Sequence, residues 1–527
     1  MPIDPPRNSP RFRVGAVVLC CALGGVPVAA QAPLSAIDWL SDSVSAPEIA
    51  LPPERPENRT TTSAAIESIT VHPLDAPSPD GLGVLSRAQT GFPDDLWRGS
   101  SVDVLSQQIS TFPIAPLPAV QEVFIALMQA RLDPPQATAG EGAFFLARVD
   151  ALLARGALEP ARRLLERVPN PTPPQFRRAF DIALLTGTED TACQKLRATP
   201  GISPSFPLRV FCLARTGDWP AAALTLHVAQ ALGTVTADES ALLARFLDPE
   251  LFEGSKPLPR PEPLTPLAFK MHAAIGEPIS QASLPLAFAH ADLRRSAGWK
   301  ARIAAAERLV RVGAIPVGTL LDVYTERTPA ASGGAWDRVA AVQQFDAAFR
   351  SQDWQAAREY LPLVWAEMER AGLGIAFSKL YGAGIAPLAL IENRSSLASY
   401  LRVLSSDYDS RDLESLDSHP EEQFLITLAK GFPERAIPSG NIARAALEQA
   451  IIDGFAPAPD TLSTTVENKI AAGRHGEVLL DTLASLPADK YGDLTDITRS
   501  LIILRRLGFE STARKIGIQY FSHEPYE

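Results

Sequence analysis

Histidine, cysteine and acidic residues are the groups from which chemistry would come, and this chain spaces them widely. The seven histidines are His72, His227, His272, His290, His419, His475 and His523. None stands three or four residues from another, the spacing that puts two imidazoles on one helical face as metal ligands. A zinc centre is therefore not expected. His290-Ala291-Asp292 forms a polar corner of a kind more often structural than catalytic. The chain holds no Gly-x-Ser-x-Gly elbow to present a nucleophilic serine and no Gly-rich phosphate loop. No enzyme, catalytic residue, metal or cofactor is predicted.

The amino-terminus reads as an address. Arg7, Arg11 and Arg13 precede an almost wholly apolar or small run from Val14 to Ala30, and Val28-Ala29-Ala30 supplies small residues where a signal peptidase cuts. The expectation is a signal peptide over 1–30, cleaved after Ala30, and a mature chain without a membrane span. An uncleaved anchor is the competing reading, but Gly24, Gly25 and Pro27 interrupt the run. Ala- and Arg-rich helices behind such a signal point to a Gram-negative bacterium and its periplasm.

Of the four cysteines, Cys20 and Cys21 leave with the signal, so Cys193 and Cys212 remain. An oxidising compartment and an even count suggest a disulfide. The loop between them, with its three prolines, can turn the chain so that two antiparallel helices bring the pair together. Two buried free thiols are the alternative.

The residues that position these groups are organised by a repeated phrase. LLARGALEPARRLL (152–165), ALLTGTEDTACQKL (183–196) and CLARTGDWPAAALTL (212–226) align on Gly156, Gly187 and Gly217. Five residues on stand Ala161, Ala192 and Ala222; nine on stand Leu165, Leu196 and Leu226. A glycine closes one helix in the left-handed conformation. The alanine admits a second helix closely, and the leucine lies on the same face as the alanine. The period of 31 and then 30 residues matches one helix–turn–helix unit, which must stack on neighbours to bury its apolar face. Looser copies follow at Gln352/Ala357/Leu361, at Gly313, at Gly473/Val478 and at Gly508/Ala513.

This phrase, most clearly GDWPAAALTL and QDWQAAREYL, resembles the tetratricopeptide-like superfamily, whose units pair two helices around small residues. The resemblance implies an all-α helical-hairpin repeat, an α-solenoid or superhelix serving as a binding surface, and it carries over no catalytic residue. A second helical class, the lytic transglycosylases, needs a catalytic glutamate in a Glu-Ser context ahead of a Gly-Leu-Met-Gln type segment. Ala126-Leu127-Met128-Gln129 echoes the latter without its glycine. Glu67-Ser68, Glu239-Ser240, Glu414-Ser415 and Glu510-Ser511 echo the former, and only Glu67 lies upstream. Four two-residue matches are what chance supplies, so that motif is rejected.

Composition agrees with helices. Of 527 residues 46% are hydrophobic, enough for a packed core, while 47 prolines require irregular stretches. The formal charge of −11 becomes −13 once three arginines and one aspartate leave with the signal, and an acidic chain without a basic stripe excludes nucleic-acid binding. Residues 31–95, rich in Pro, Ser, Thr and Asp, read as a flexible, disordered tether around an isolated apolar patch at Trp39. Then come a helical repeat block at 96–250, a Pro-rich joint at 251–267 and a second helical repeat block at 268–527, its last helix capping the array. The expected function is a periplasmic, non-enzymatic scaffold that binds another envelope component, protein or peptidoglycan-associated. A cell-wall glycan-acting enzyme and a chaperone-like binder are the alternatives.

Overall fold

The repeated phrase is built as its residue types require. Gly156, Gly187 and Gly217 take φ of +70°, +81° and +84°, a region that costs other residues a Cβ clash. Gln352, which stands at the glycine position of the copy QDWQAAREYL, has φ +58°. It is the one non-glycine residue with positive φ among the described residues. The next residue is an aspartate in two copies, and each caps the following helix. Asp218 accepts from Ala221 N at 3.2 Å and Asp353 from Ala356 N at 3.1 Å. Ala161, Ala222, Ala357 and Leu361 are fully buried, Leu165, Leu196 and Leu226 nearly so, whereas Ala192 is half-buried.

The computed structural model describes Trp39 and residues 78–136, 142–203, 205–281, 283–390, 396–405, 420–431, 438, 440, 444–456, 462–487 and 493–522. These belong to one compact unit, Ile37–Glu527. The signal peptide expected over 1–30 lies outside the described residues, as does most of the tether. The architecture is all-α: the described residues hold twenty-five α-helices and no β-strand, only two isolated bridges, Leu85 with Ala130 and Ser101 with Gln136. Among the described residues no helix is long and apolar enough to cross a membrane.

Two expectations need correction. The flexible tether does not extend to residue 95, because the chain is packed from Ser78 onward. Asp80 is buried and accepts from Gly142 N at 3.2 Å and Phe145 N at 2.7 Å, so it caps the helix Ala143–Ala154 from a distant segment. Phe92 is buried against Phe509. Trp39 is buried too, with its ring edge-on to Phe288 at 5.6 Å. Proline and serine content signalled irregular backbone there, and irregular backbone can still pack. Likewise, the joint at 251–267 does not part the chain into two blocks. The helix Pro266–Ala274, which begins inside it, packs on Pro173–Thr186 and Ala237–Leu247.

Helices from Pro173–Thr186 to Pro266–Ala274 instead form a lobe with its own core of Phe176, Phe180, Phe211, Leu243 and Met271 among others. Cys193 and Cys212 lie inside it, their Cα atoms 5.2 Å apart and their sulfurs at bonding distance. Replacing both by serine is expected to cost about 3 kcal/mol, the loop-closure value for a link of this span. Urea unfolding of oxidised protein measures this, and a thiol reagent should leave Cys193 and Cys212 unlabelled in the native chain. A change below about 1 kcal/mol would mean that packing alone holds the lobe.

The other core runs through the remaining helices and returns to its start. Helix Val102–Thr111 packs on His475–Ser485, and Pro118–Gln129 on Glu510–Ser522, so the last helix does not cap the array but closes it. At the closure Gly476 N donates to Leu96 O at 3.0 Å and Ala119 N to Gln519 Oε1 at 2.7 Å. Gly476 lies under the Trp97 ring, and Gly99 lies against the Gly473 carbonyl, where any Cβ would overlap its neighbour.

Candidate functional site

Closure creates a cavity of about 830 Å³, walled by helices from the beginning, middle and end of the chain. Its lining is largely aliphatic, from Leu117, Ile125, Val310, Ile315, Ile375 and Leu404. Six charged residues also reach it: Glu122, Glu159, Arg163, Arg311, Glu369 and Lys379. Two of the three acids are neutralised. Glu122 meets Lys379 at 2.8 Å and Lys515 at 3.7 Å, and although burial pushes its carboxyl up, the two lysines outweigh this and hold it below the ordinary value. Glu159 accepts from Arg162 at 2.8 and 2.6 Å, which likewise lowers its carboxyl.

Glu369 is different. It sits near the end of the helix Trp354–Arg370, half-buried, its side chain in no ion pair or hydrogen bond among the described residues. Its carboxylate packs against Gly374, the first residue of the helix Gly374–Tyr381, where a Cβ would overlap Oε1. Burial alone, with no neighbouring charge to offset it, pushes this carboxyl up to about 7. Arg311 approaches the same turn from the end of Trp299–Arg311, its Nε donating to Ala371 O at 3.0 Å. It forms no ion pair with Glu369 or any other described acid, and neither does Arg163.

The sign of the linkage at Glu369 follows from its direction. The folded carboxyl near 7 binds its proton more tightly than the unfolded one at 4.5, so stability falls as pH rises from about 4.5 to 7, and the loss persists above. Glu369→Gln is therefore expected to raise stability at pH 8 by about 2 kcal/mol, after allowance for partial exposure, and to change little at pH 5. Melting curves at the two pH values check it; an equal effect at both would mean the carboxylate is solvated.

Other residues singled out by sequence are placed apart from this cavity or serve the scaffold. His290 Nε2 donates to Gly156 O at 2.6 Å, fastening the first glycine turn to the middle of the chain, and burial pushes its imidazole down. Burial also pushes His272 down. His72, His419 and His523 lie outside the described residues. Glu239 accepts from Thr236 N as a helix cap at 2.9 Å, and Glu510 accepts from Arg505 at 3.0 Å. Ala126 and Gln129 line the cavity while Met128 is fully buried; Glu67 and Glu414 lie outside the described residues. Of the Glu-Ser echoes, Glu510-Ser511 opens the helix that packs on Pro118–Gln129, but the Glu510 carboxylate is engaged by Arg505. Gly156, Gly187 and Gly217 end helices; Ala161 and Leu165 pack in the larger core, and Ala192, Leu196, Ala222 and Leu226 in the lobe, so none of these positions lines the cavity.

A second concavity, about 410 Å³, lies over Cys193 and Cys212 in the lobe, between Phe206, Leu213, Leu224 and Val228. Beside it the helix Trp219–Ala231 leaves an apolar stripe in solvent: Leu224 is 66% exposed, and Val228 and the following Leu232 are also exposed.

Sequence reasoning missed Glu369 and Arg311. A readable trace existed for the first. In the helix Trp354–Arg370, Leu361, Trp365 and Glu369 recur at four-residue steps, which puts a carboxylate on the apolar stripe. Comparison with family models, with curated proteins and with solved structures finds no match to this chain.

Proposed function

We propose that the chain is a non-enzymatic helical-repeat scaffold of the tetratricopeptide-like kind, delivered to the periplasm, whose lobe docks a protein component of the cell envelope. The observation that carries the reading is the exposed stripe Leu224, Val228, Leu232 beside an apolar groove. Three aliphatic side chains at four-residue steps, left in solvent on one helical face, are what a partner helix or strand covers. Arg197 and Arg209 at the groove edge favour a partner segment carrying carboxylates. A photo-crosslinking residue at position 228 should capture one discrete envelope protein in cells, while the same residue at exposed Leu363 should not. Leu224→Asp should abolish that capture without altering the melting temperature. Equal labelling from both positions would overturn the reading, and fractionation of the mature chain to the cytoplasm would remove its periplasmic part.

One observation favours a second reading, an enzyme acting on cell-wall glycan. A half-buried carboxylic acid that keeps its proton near neutral pH suits general acid catalysis. Its weakness is the absence of an unpaired second carboxylate among the described cavity residues, since Glu122 and Glu159 are neutralised. Release of muropeptides from purified sacculi by the native chain, abolished by Glu369→Gln, would establish it.

A further inference from the structure

We infer that the cavity at the closure is a binding site for a short zwitterionic peptide, its free amine against Glu369 and its carboxylate against Arg311. The argument begins with charge. The cavity wall carries three acids and three bases, so it offers no net attraction to a polyanion or a polycation. Within that balance Glu122 and Glu159 already have partners, as does Lys379. Arg163 acts on Glu159 from a distance, whereas Glu369 and Arg311 have no ionic partner among the described residues. Glu369 and Arg311 flank the same turn, Ala371-Gly372-Leu373, yet each stands beyond ion-pair reach of the other.

Two unmatched charges of opposite sign, held near one another but apart, are complementary to a molecule with an amine at one end and a carboxylate at the other. A cation next to Glu369 restores the partner that its desolvated carboxylate lacks. An anion next to Arg311 engages the guanidinium nitrogens other than the Nε spent on Ala371 O. The rest of the wall is largely aliphatic, which suits small side chains, and about 830 Å³ falls within the range of roughly 300–1,000 Å³ typical of small-molecule sites. Gly374 belongs to the same design. Without a Cβ it lets the Glu369 carboxylate lie against the start of the next helix, beside the Trp365 ring.

The inference is independent of the lobe as a docking surface, because the two concavities share no lining residue. Either can fail while the other stands.

The test is calorimetric titration of the full-length mature chain with tetra-alanine bearing free ends, and with its N-acetylated and its C-amidated forms. The free peptide should bind at least ten times more tightly than either capped form. In Glu369→Gln the N-acetylated and free peptides should bind alike, while discrimination against the amide persists. In Arg311→Gln the pattern should reverse, and Arg311→Lys should recover part of the preference for a free carboxylate. Melting curves identify any variant that has lost its fold, and the Arg311→Lys variant keeps the carboxylate arm testable if Arg311→Gln has. No heat with any peptide at millimolar concentration, or equal binding of free and capped forms, overturns the inference. So does tight binding that neither Glu369→Gln nor the Arg311 variants alter.

Discussion

Trp97→Ala is expected to destabilise the chain by about 3–5 kcal/mol and to part its two ends, although the substitution lies in neither helix of the last pair. The Trp97 ring is 1% exposed. It stands edge-on to Phe144 at 5.4 Å on one side and covers the Cα of Gly476 on the other. Removing it empties a large volume at the point where the first helices meet the last, and the surrounding helices cannot collapse into that space without shifting both layers. Urea unfolding measures the cost, and hydrogen exchange should show the helices Val102–Thr111 and His475–Ser485 losing protection together. Gly476→Ala provides the complementary perturbation. Its Cβ would overlap the ring, an overpacking cost of about 1–3 kcal/mol. The two substitutions combined should be less than additive, because the alanine methyl clashes only with a ring that is present. A cost below about 1 kcal/mol for Trp97→Ala, or strict additivity, would mean that the ends are joined elsewhere.

The second large effect is expected at Arg148. Its side chain is 1% exposed, and its guanidinium donates to four backbone carbonyls: Met128 at 2.9 Å, Ala130 at 2.9 Å, Leu82 at 2.9 Å and Asp80 at 3.1 Å. Burial pushes this guanidinium down to about 10, with Asp80 pulling the other way, so it remains charged at neutral pH. One side chain thus satisfies the irregular segment after Ser78 and the end of the helix Pro118–Gln129 at once. Arg148→Met fills much of the volume but strands four acceptors, three of them buried, and is expected to cost about 3–5 kcal/mol. Arg148→Lys should rescue little, since a single ammonium cannot span the four oxygens. A urea midpoint reports the magnitude, and proteolysis should begin between residues 78 and 85 in the variant. Full rescue by lysine would mean that charge rather than the hydrogen-bond fork holds the segment.

These two residues mark where reading the chain linearly stops. Trp97 and Arg148 have no distinguishing local pattern: one follows Leu96 in a stretch without period, the other sits one turn into an ordinary apolar helix. Their roles arise from partners far along the chain. The bonds that seal the closure join residues 369 and 400 positions apart, from Gln108 to Glu477 and from Ala119 to Gln519. Glu369 shows the intermediate case. Its place on an apolar helical face is visible in sequence, but whether that face meets water, a lysine or an empty cavity is decided by helices more than a hundred residues away.

What the sequence determined by itself was local: helices rather than strands, and glycines at their exits. It also foresaw that Cys193 and Cys212 can meet, because a span of 19 residues leaves a helical hairpin little choice. Each of these follows from steric and hydrogen-bonding preferences that act over a few residues. Tertiary structure alone decided that the helical chain closes on itself, that a lobe with a separate core branches from it, and that a cavity with one unpaired acid lies at the closure. An apolar stripe specifies that a face must be covered; it does not specify by what, and in a chain of stacked helices many faces would serve nearly as well.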